Sequence, residues 1–332
     1  MVDDIQSSSM QSSSMASGNA MDRNAESASP MAVGRMPAAA ASARLGIQPF
    51  FHDATGTWSY VVSRGRDAVV IDPVLDYDPH SGHVATDSAR RLLDYVAHHG
   101  LRLHRILETH AHAEHLSAAA FLRARSSAPV AIGAGIRSVQ AHFADIFALT
   151  SDDPELTDAF EQLLVDGEVI EAGALRIEVL ATPGHTADSI SYRIDGNVFV
   201  GDTLFAPDLG TARCDFPGGS IEQLYASIQR LYALPADTVL WLCHDYPPAG
   251  RERRASMTVG ESRRDNRMLA GDTSLESFSE ARHARDAGLP VPTLLYPSLQ
   301  VNLRGGTLPA SADNGRRYLL TPLHFDGPAD GL

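Results

Sequence analysis

The chain has 332 residues, 44% of them hydrophobic, and carries 27 basic against 41 acidic side chains for a net charge of −14. Every basic residue is an arginine, which excludes Schiff-base catalysis, pyridoxal-phosphate anchoring and a lysine-dependent phosphate loop. The acidic balance argues against nonspecific nucleic-acid binding and against docking on an anionic membrane.

Residues 1–45 hold six of the eight methionines, ten serines and ten alanines. Such a stretch buries too little apolar surface to offset its ordering entropy and is expected to be disordered. Asp3, Asp4, Asp22 and Glu26 speak against an organellar presequence. An upstream extension of the reading frame, with initiation at Met31 or Met36, is an equal alternative to a functional tail. No apolar run reaches the length of about 18 residues that a membrane-spanning helix needs. Only two cysteines, Cys214 and Cys243, are present, so a disulfide framework is not expected and a cytoplasmic location is. Both are read as packing residues.

From residue 47 the pattern becomes regular. Alternating or short apolar runs predict strands at 47–52, 58–63 and 68–71, a helix over 86–99, a strand at 104–108, a helix over 116–125 and a strand at 130–132. A mostly polar insertion at 150–161 follows. Strands at 168–170, 175–181, 189–193 and 198–201, a helix over 221–231 and a strand at 238–242 complete the regular part. Residues 251–332 read as helix plus irregular extension, with Arg251-Glu252-Arg253-Arg254 as a solvated helix face. Strands alternating with helices in both halves suggest two packed sheets with helices outside, an α+β sandwich.

Four predicted strand ends carry the chemistry. Thr109-His110-Ala111-His112-Ala113-Glu114-His115 places three imidazoles and a carboxylate at one strand-to-helix turn, a cluster that suits zinc, iron or manganese. Thr182-Pro183-Gly184-His185-Thr186, Gly201-Asp202-Thr203-Leu204-Phe205 and Cys243-His244-Asp245-Tyr246 each deliver a further histidine or carboxylate from a strand end.

In this order the four motifs resemble the metallo-β-lactamase superfamily over roughly residues 47–250. The resemblance implies an αββα sandwich of two mixed β-sheets, with a catalytic domain at 46–250 and residues 251–332 packed on it as an extension. It matches Asp72 to a buried aspartate beneath the metal loop. Glu114 stands where a binuclear hydrolase of this family has aspartate, and the extra methylene moves the carboxylate by roughly 1.5 Å. That departure disfavours a standard second metal. The loops Asp72–Pro79 and Gly210–Gly219, and the stretches Thr258–Glu261 and Pro297–Leu303, resemble the persulfide dioxygenases, relatives of glyoxalase II. This subfamily resemblance implies one Fe(II) per chain on His110, His185 and Asp202, and His112, Glu114, His115 and His244 as catalytic groups around it. Arg213, Asp215 and Tyr246 are implied to shape the substrate pocket, although Arg213 and Asp215 also read as a surface salt bridge. The implied reaction oxidises glutathione persulfide, or a related low-molecular-weight persulfide, with O₂ to sulfite and thiol. A glyoxalase II-like thioesterase with one or two zinc ions is the alternative, and a homodimer is among the expected assemblies.

Overall fold

The structure, a computed structural model, describes residues 43–150 and 152–323. Two six-stranded sheets form the frame. The first runs β1 (Leu45–His52), β2 (Thr57–Arg64), β3 (Asp67–Ile71), β6 (Arg102–Leu107), β8 (Val130–Gly133) and β9 (Gln162–Leu164), with β4 (Val74–Asp78), β5 (His83–Ala85) and β7 (Leu116–Ser117) in a small separate sheet. The second runs β10 (Val169–Ala172), β11 (Leu175–Ala181), β12 (Ile190–Ile194), β13 (Asn197–Phe199), β14 (Val239–Trp241) and β15 (Ser256–Thr258). Both large sheets are mixed: β3, β6, β8 and β9 pair in parallel in one, and β13 with β14 in the other.

The period-two pattern explains the layering. In β2 and β3, Tyr60, Val62, Val69 and Ile71 face inward and meet Ile177, Val179, Tyr192 and Phe199 of the other sheet. Val61, Ala68 and Val70 face outward, onto helices α1 (Asp87–His98), α2 (Ala119–Ser126) and α3 (Ile136–Ile146). The outer face of the second sheet, through Val198, Leu240 and Met257, carries α5 (Ile221–Tyr232). The result is the expected αββα sandwich. Helix α5 starts at Ser220, whose hydroxyl accepts from the Gln223 N–H at 3.2 Å, and it buries Leu224, Ile228 and Leu231 at helical spacing.

Several expectations need correction. A helix over 136–146 was not predicted, although Ile136, Val139 and Phe143 recur at its period and are buried. The helix expected from 116 begins at Ala119, because Leu116 and Ser117 pair with β4 instead. The supposed polar insertion contains a short helix, α4 (Pro154–Thr157), and buries Leu156, Ala159 and Phe160. Strands β4, β5, β9 and β15 were also missed. Residues 251–254 are irregular rather than helical: Arg251 reaches Asp245 at 2.5 Å and Asp208 at 2.8 Å, and Arg254 reaches Glu261 at 2.7 Å. Beyond them, β15, α6 (Val259–Asp265), α7 (Leu275–Asp286) and α8 (Leu295–Asn302) complete the second sheet and both helix layers. The predicted disordered segment lies outside the described residues up to residue 42, and Leu45 already belongs to β1. Among the described residues no helix is long and apolar enough to cross a membrane.

Candidate metal centre

The four motifs converge at one edge of the sandwich. The loop 109–115 leaves β6, His185 follows β11, Asp202 follows β13 and His244 follows β14. Gly201, at φ +53°, lets the chain turn into Asp202; a Cβ there would lie 2.8 Å from the Thr109 side chain. His110, His112, His115, His185, Asp202 and His244 are all buried.

Each of four rings is held by its Nδ1, which fixes the tautomer. His185 Nδ1–H donates to the Arg213 carbonyl at 2.8 Å, and His115 Nδ1–H to the Leu116 carbonyl at 3.1 Å. His110 Nδ1 lies 3.0 Å from Thr109 Oγ1, whose own proton goes to Asp72 Oδ2 at 3.0 Å. His244 Nδ1 lies 3.3 Å from Thr57 Oγ1, across the bridge that joins this segment to β2. The Nε2 atoms of all four rings are buried and have no hydrogen-bond partner, and neither has Asp202 Oδ1. Orphaned acceptors of this kind are costly unless something positive binds them. Asp202 Oδ2 lies 4.0 Å from His110 Nε2 and 3.8 Å from His185 Nε2, while Oδ1 lies 3.5 Å from His244 Nε2. Ligand atoms of His110, His185 and Asp202 fall within 4.8 Å of one another, as do those of His112, His115 and His244. This donor set fits a metal ion.

His112 is oriented the other way round. Its Nε2 faces Asp72 Oδ1 at 3.2 Å and Glu108 Oε2 at 3.5 Å, and its Nδ1 is the orphan. Burial alone would push this imidazole down, but the Asp72 carboxylate outweighs it and holds the ring well above its ordinary range. Asp72 lies beneath the loop, at φ +49°, and also accepts from the Thr109 N–H at 2.7 Å and from the Cys243 thiol at 3.6 Å. Cys243 is therefore part of the site and not only packing. Burial pushes its thiol well above the usual range, so it stays protonated. Cys214 is buried away from the cluster, with its thiol raised to about 12 by burial.

A cavity of about 250 Å³ opens beside the cluster, bounded at its inner end by His185, Asp202 and Glu114. Tyr246 lines it and stacks on His244 with ring centroids 5.6 Å apart. Arg213 lines it too, but Nε and Nη2 of its guanidinium each donate to Asp215 at 2.6 Å. Asp215 does not line this cavity; its carboxylate is turned to Arg213, so the salt-bridge reading describes this pair better than a shared substrate contact. Glu114 accepts from the Ala113 N–H at 3.0 Å and groups with His110 and His112, not with His115 and His244.

Five supporting residues escaped the sequence reading. Asn302, at the end of α8, donates to the carbonyls of His112 at 2.7 Å and His115 at 2.8 Å, and accepts from the Ser117 N–H at 2.7 Å. Asp188 accepts from the Ala111 N–H at 2.7 Å. Glu108 accepts from the Ser117 hydroxyl and faces His112. Arg282 of α7 is fully buried; it donates to the Thr211 carbonyl at 2.9 Å and to Asp286 at 2.6 Å, and Asp286 accepts from the Cys214 N–H at 3.1 Å. The last pair anchors the loop whose Arg213 carbonyl orients His185. For Asn302, the polar residue near the end of the apolar stretch 294–303 was the available signal; the charged sequence of α7 gave none for Arg282.

A sequence profile of the Metallo-beta-lactamase superfamily matches residues 52–244. The chain is 44% identical to a probable metallo-hydrolase of Burkholderia pseudomallei, over 83% of this chain and 98% of that protein. It is 46% identical to a beta-lactamase hydrolase-like protein of Agrobacterium fabrum, again over 83% of this chain, and spans only 64% of that relative's length. It is 28% identical to the mitochondrial persulfide dioxygenase ETHE1 of Homo sapiens, over 78% of this chain and 88% of that one. The crystal structure of ETHE1 from Myxococcus xanthus superposes with a TM-score of 0.63 at 31% identity, covering 79% of this chain and 99% of that one.

Proposed function

The chain belongs to the metallo-β-lactamase superfamily, and on that premise we propose that it is a persulfide dioxygenase working on glutathione persulfide or a related low-molecular-weight persulfide. The overall change balances as persulfide plus O₂ plus water giving thiol plus sulfurous acid, with four electrons passing from sulfur to oxygen. The observation that carries this reading is the pairing of His110 and His185 with Asp202 Oδ2, while Glu114 sits apart from the His115–His244 pair. Two imidazoles and one carboxylate suit a single non-haem Fe(II) with open positions. The likeness to ETHE1 of Myxococcus xanthus and to the human persulfide dioxygenase supports the same reading.

When bound, Fe(II) supplies the electron transfer to O₂ that no side chain provides. The protein's own groups do the rest. Thr109, Arg213 and their partners hold the Nδ1 protons of His110 and His185, so that each Nε2 lone pair points inward. Asp72 keeps a proton on His112 Nε2. Phe205 and Leu209 wall the cavity and exclude water, and Tyr246 brings a phenol to its rim.

A metal-dependent thioesterase acting on a glutathione thioester is the second reading. It is favoured by the second group of ligand atoms on His112, His115 and His244, which would hold a further metal ion, with Asp202 Oδ1 3.5 Å from His244 Nε2. The two are separated by purifying the protein without oxygen, counting its metals, and measuring O₂ uptake with glutathione persulfide against hydrolysis of lactoylglutathione. One iron per chain with O₂ uptake is expected. Full activity with zinc alone, or two metals with hydrolysis and no O₂ uptake, overturns the dioxygenase reading.

A further inference from the structure

Three arginines line the cavity beside the metal cluster, and they differ in what they are free to do. The guanidinium of Arg213 is spent on Asp215, and its remaining Nη1 donates to the Pro290 carbonyl at 2.8 Å. Arg282 is fully buried, held between the Thr211 carbonyl and Asp286, and each of these two arginines has its own carboxylate. The guanidinium of Arg285, one helical turn beyond Arg282 on α7, makes no hydrogen bond or ion pair among the described residues. It is exposed at the cavity mouth beside Leu289 and Pro292. Among the described residues it is the cavity-lining arginine whose guanidinium is bonded to no carboxylate, the nearby Asp286 being held by Arg282. Partial burial and the neighbouring Arg282 charge both push it down from its ordinary value, two costs that a bound anion would offset.

We propose that Arg285 is a specificity-determining residue that takes a carboxylate of the substrate whose sulfur enters the metal end of the cavity. This rests on the persulfide reading and deepens it: the substrate class becomes persulfides of carboxylate-bearing thiols. The planar fork of arginine matches a carboxylate through two parallel N–H donors. The Arg213–Asp215 and Arg282–Asp286 pairs serve to build the walls; Arg285 reads the ligand.

The test compares wild type, Arg285→Gln and Arg285→Lys in the iron-loaded protein. O₂ uptake is measured with glutathione persulfide and with the persulfide of 2-mercaptoethanol, which carries no carboxylate. Arg285→Gln is expected to raise KM for glutathione persulfide about tenfold, the scale of one partly exposed charge-assisted contact, with kcat retained. KM for the uncharged persulfide stays unchanged, and Arg285→Lys recovers part of the loss. An equal change with both substrates, or none with either, overturns the assignment. Calorimetric binding of glutathione to the same proteins needs no turnover and separates this failure from that of the proposed reaction. If wild type consumes no O₂ yet binds glutathione about tenfold more tightly than Arg285→Gln, the dioxygenase reading falls and the role of Arg285 stands. Equal glutathione affinity in the two proteins removes it.

Discussion

Burial pushes the His110 and His115 imidazoles well down and that of His244 down to about 4, so all three are neutral at pH 7 and bind a cation without first losing a proton. Their folded-state values lie below the unfolded value of about 6.5, so on acidification the unfolded chain takes up these protons first. The stability they contribute is present above about pH 6.5 and is lost as pH falls toward 4. Asp202, pushed up to about 6 by burial, works in the opposite sense: its contribution is greatest below the ordinary carboxylate range and is lost as pH rises through about 6. His112, held well above its ordinary range by Asp72, and the carboxyls of Glu108 and Asp188, raised by burial, act in the same sense as Asp202, so the metal-free protein has opposing contributions across this range. The metal-loaded protein is expected to release its ion as pH falls from about 7 to 4.5, because protons then compete with the metal for the imidazoles and for Asp202; metal retention that stays flat across this window contradicts this. Asn302→Ala, which removes the clamp on the His112 and His115 carbonyls, is expected to weaken metal binding about 10- to 100-fold in a chelator competition. At this scale the sequence was generous with metal-ligand candidates, because imidazole clusters have few other uses. It was silent on Asn302 and Asp188, whose contribution is a hydrogen bond to a loop distant in the chain.

Helix α7 illustrates what an element can do that no motif announces. Its outer positions are charged, yet it carries the buried Arg282 and Asp286 one turn apart, and through Thr211 and Cys214 they hold the loop that orients His185. Asp286→Ala leaves a buried guanidinium unpaired and is expected to cost about 3–5 kcal/mol in denaturant unfolding, together with weaker metal retention. Replacing both partners with apolar residues is expected to recover much of the stability. Elements whose apolar positions recur at their own period, such as β2, β11 and α5, were readable from the sequence nearly to their ends. The edge strands β5, β9 and β15 were not, since three residues give too short a pattern to show a period. Helix α3 carries Ile136, Val139 and Phe143 at helical spacing, so its period is legible in the sequence although no helix was expected there.

At the scale of the molecule, the residues after 250 are structural members of the sandwich. Strand β15 edges the second sheet, α6 and α7 pack on its outer face through Val259 and Phe278, and α8 packs on the first sheet's helices through Leu299 and Val301. A chain ending at residue 250 would expose these faces and is expected to show no cooperative melting by circular dichroism, whereas an independent catalytic unit would melt as the full chain does. The Asn302 clamp carries this point into time. The histidine loop is translated nearly two hundred residues before the side chain that fastens it, and the ribosome still covers that side chain when both sheets are otherwise complete. A nascent chain can thus assemble most of its scaffold while the metal loop remains unfastened. A product truncated before Asn302 would lack this clamp and take up metal poorly even when most of its fold has formed.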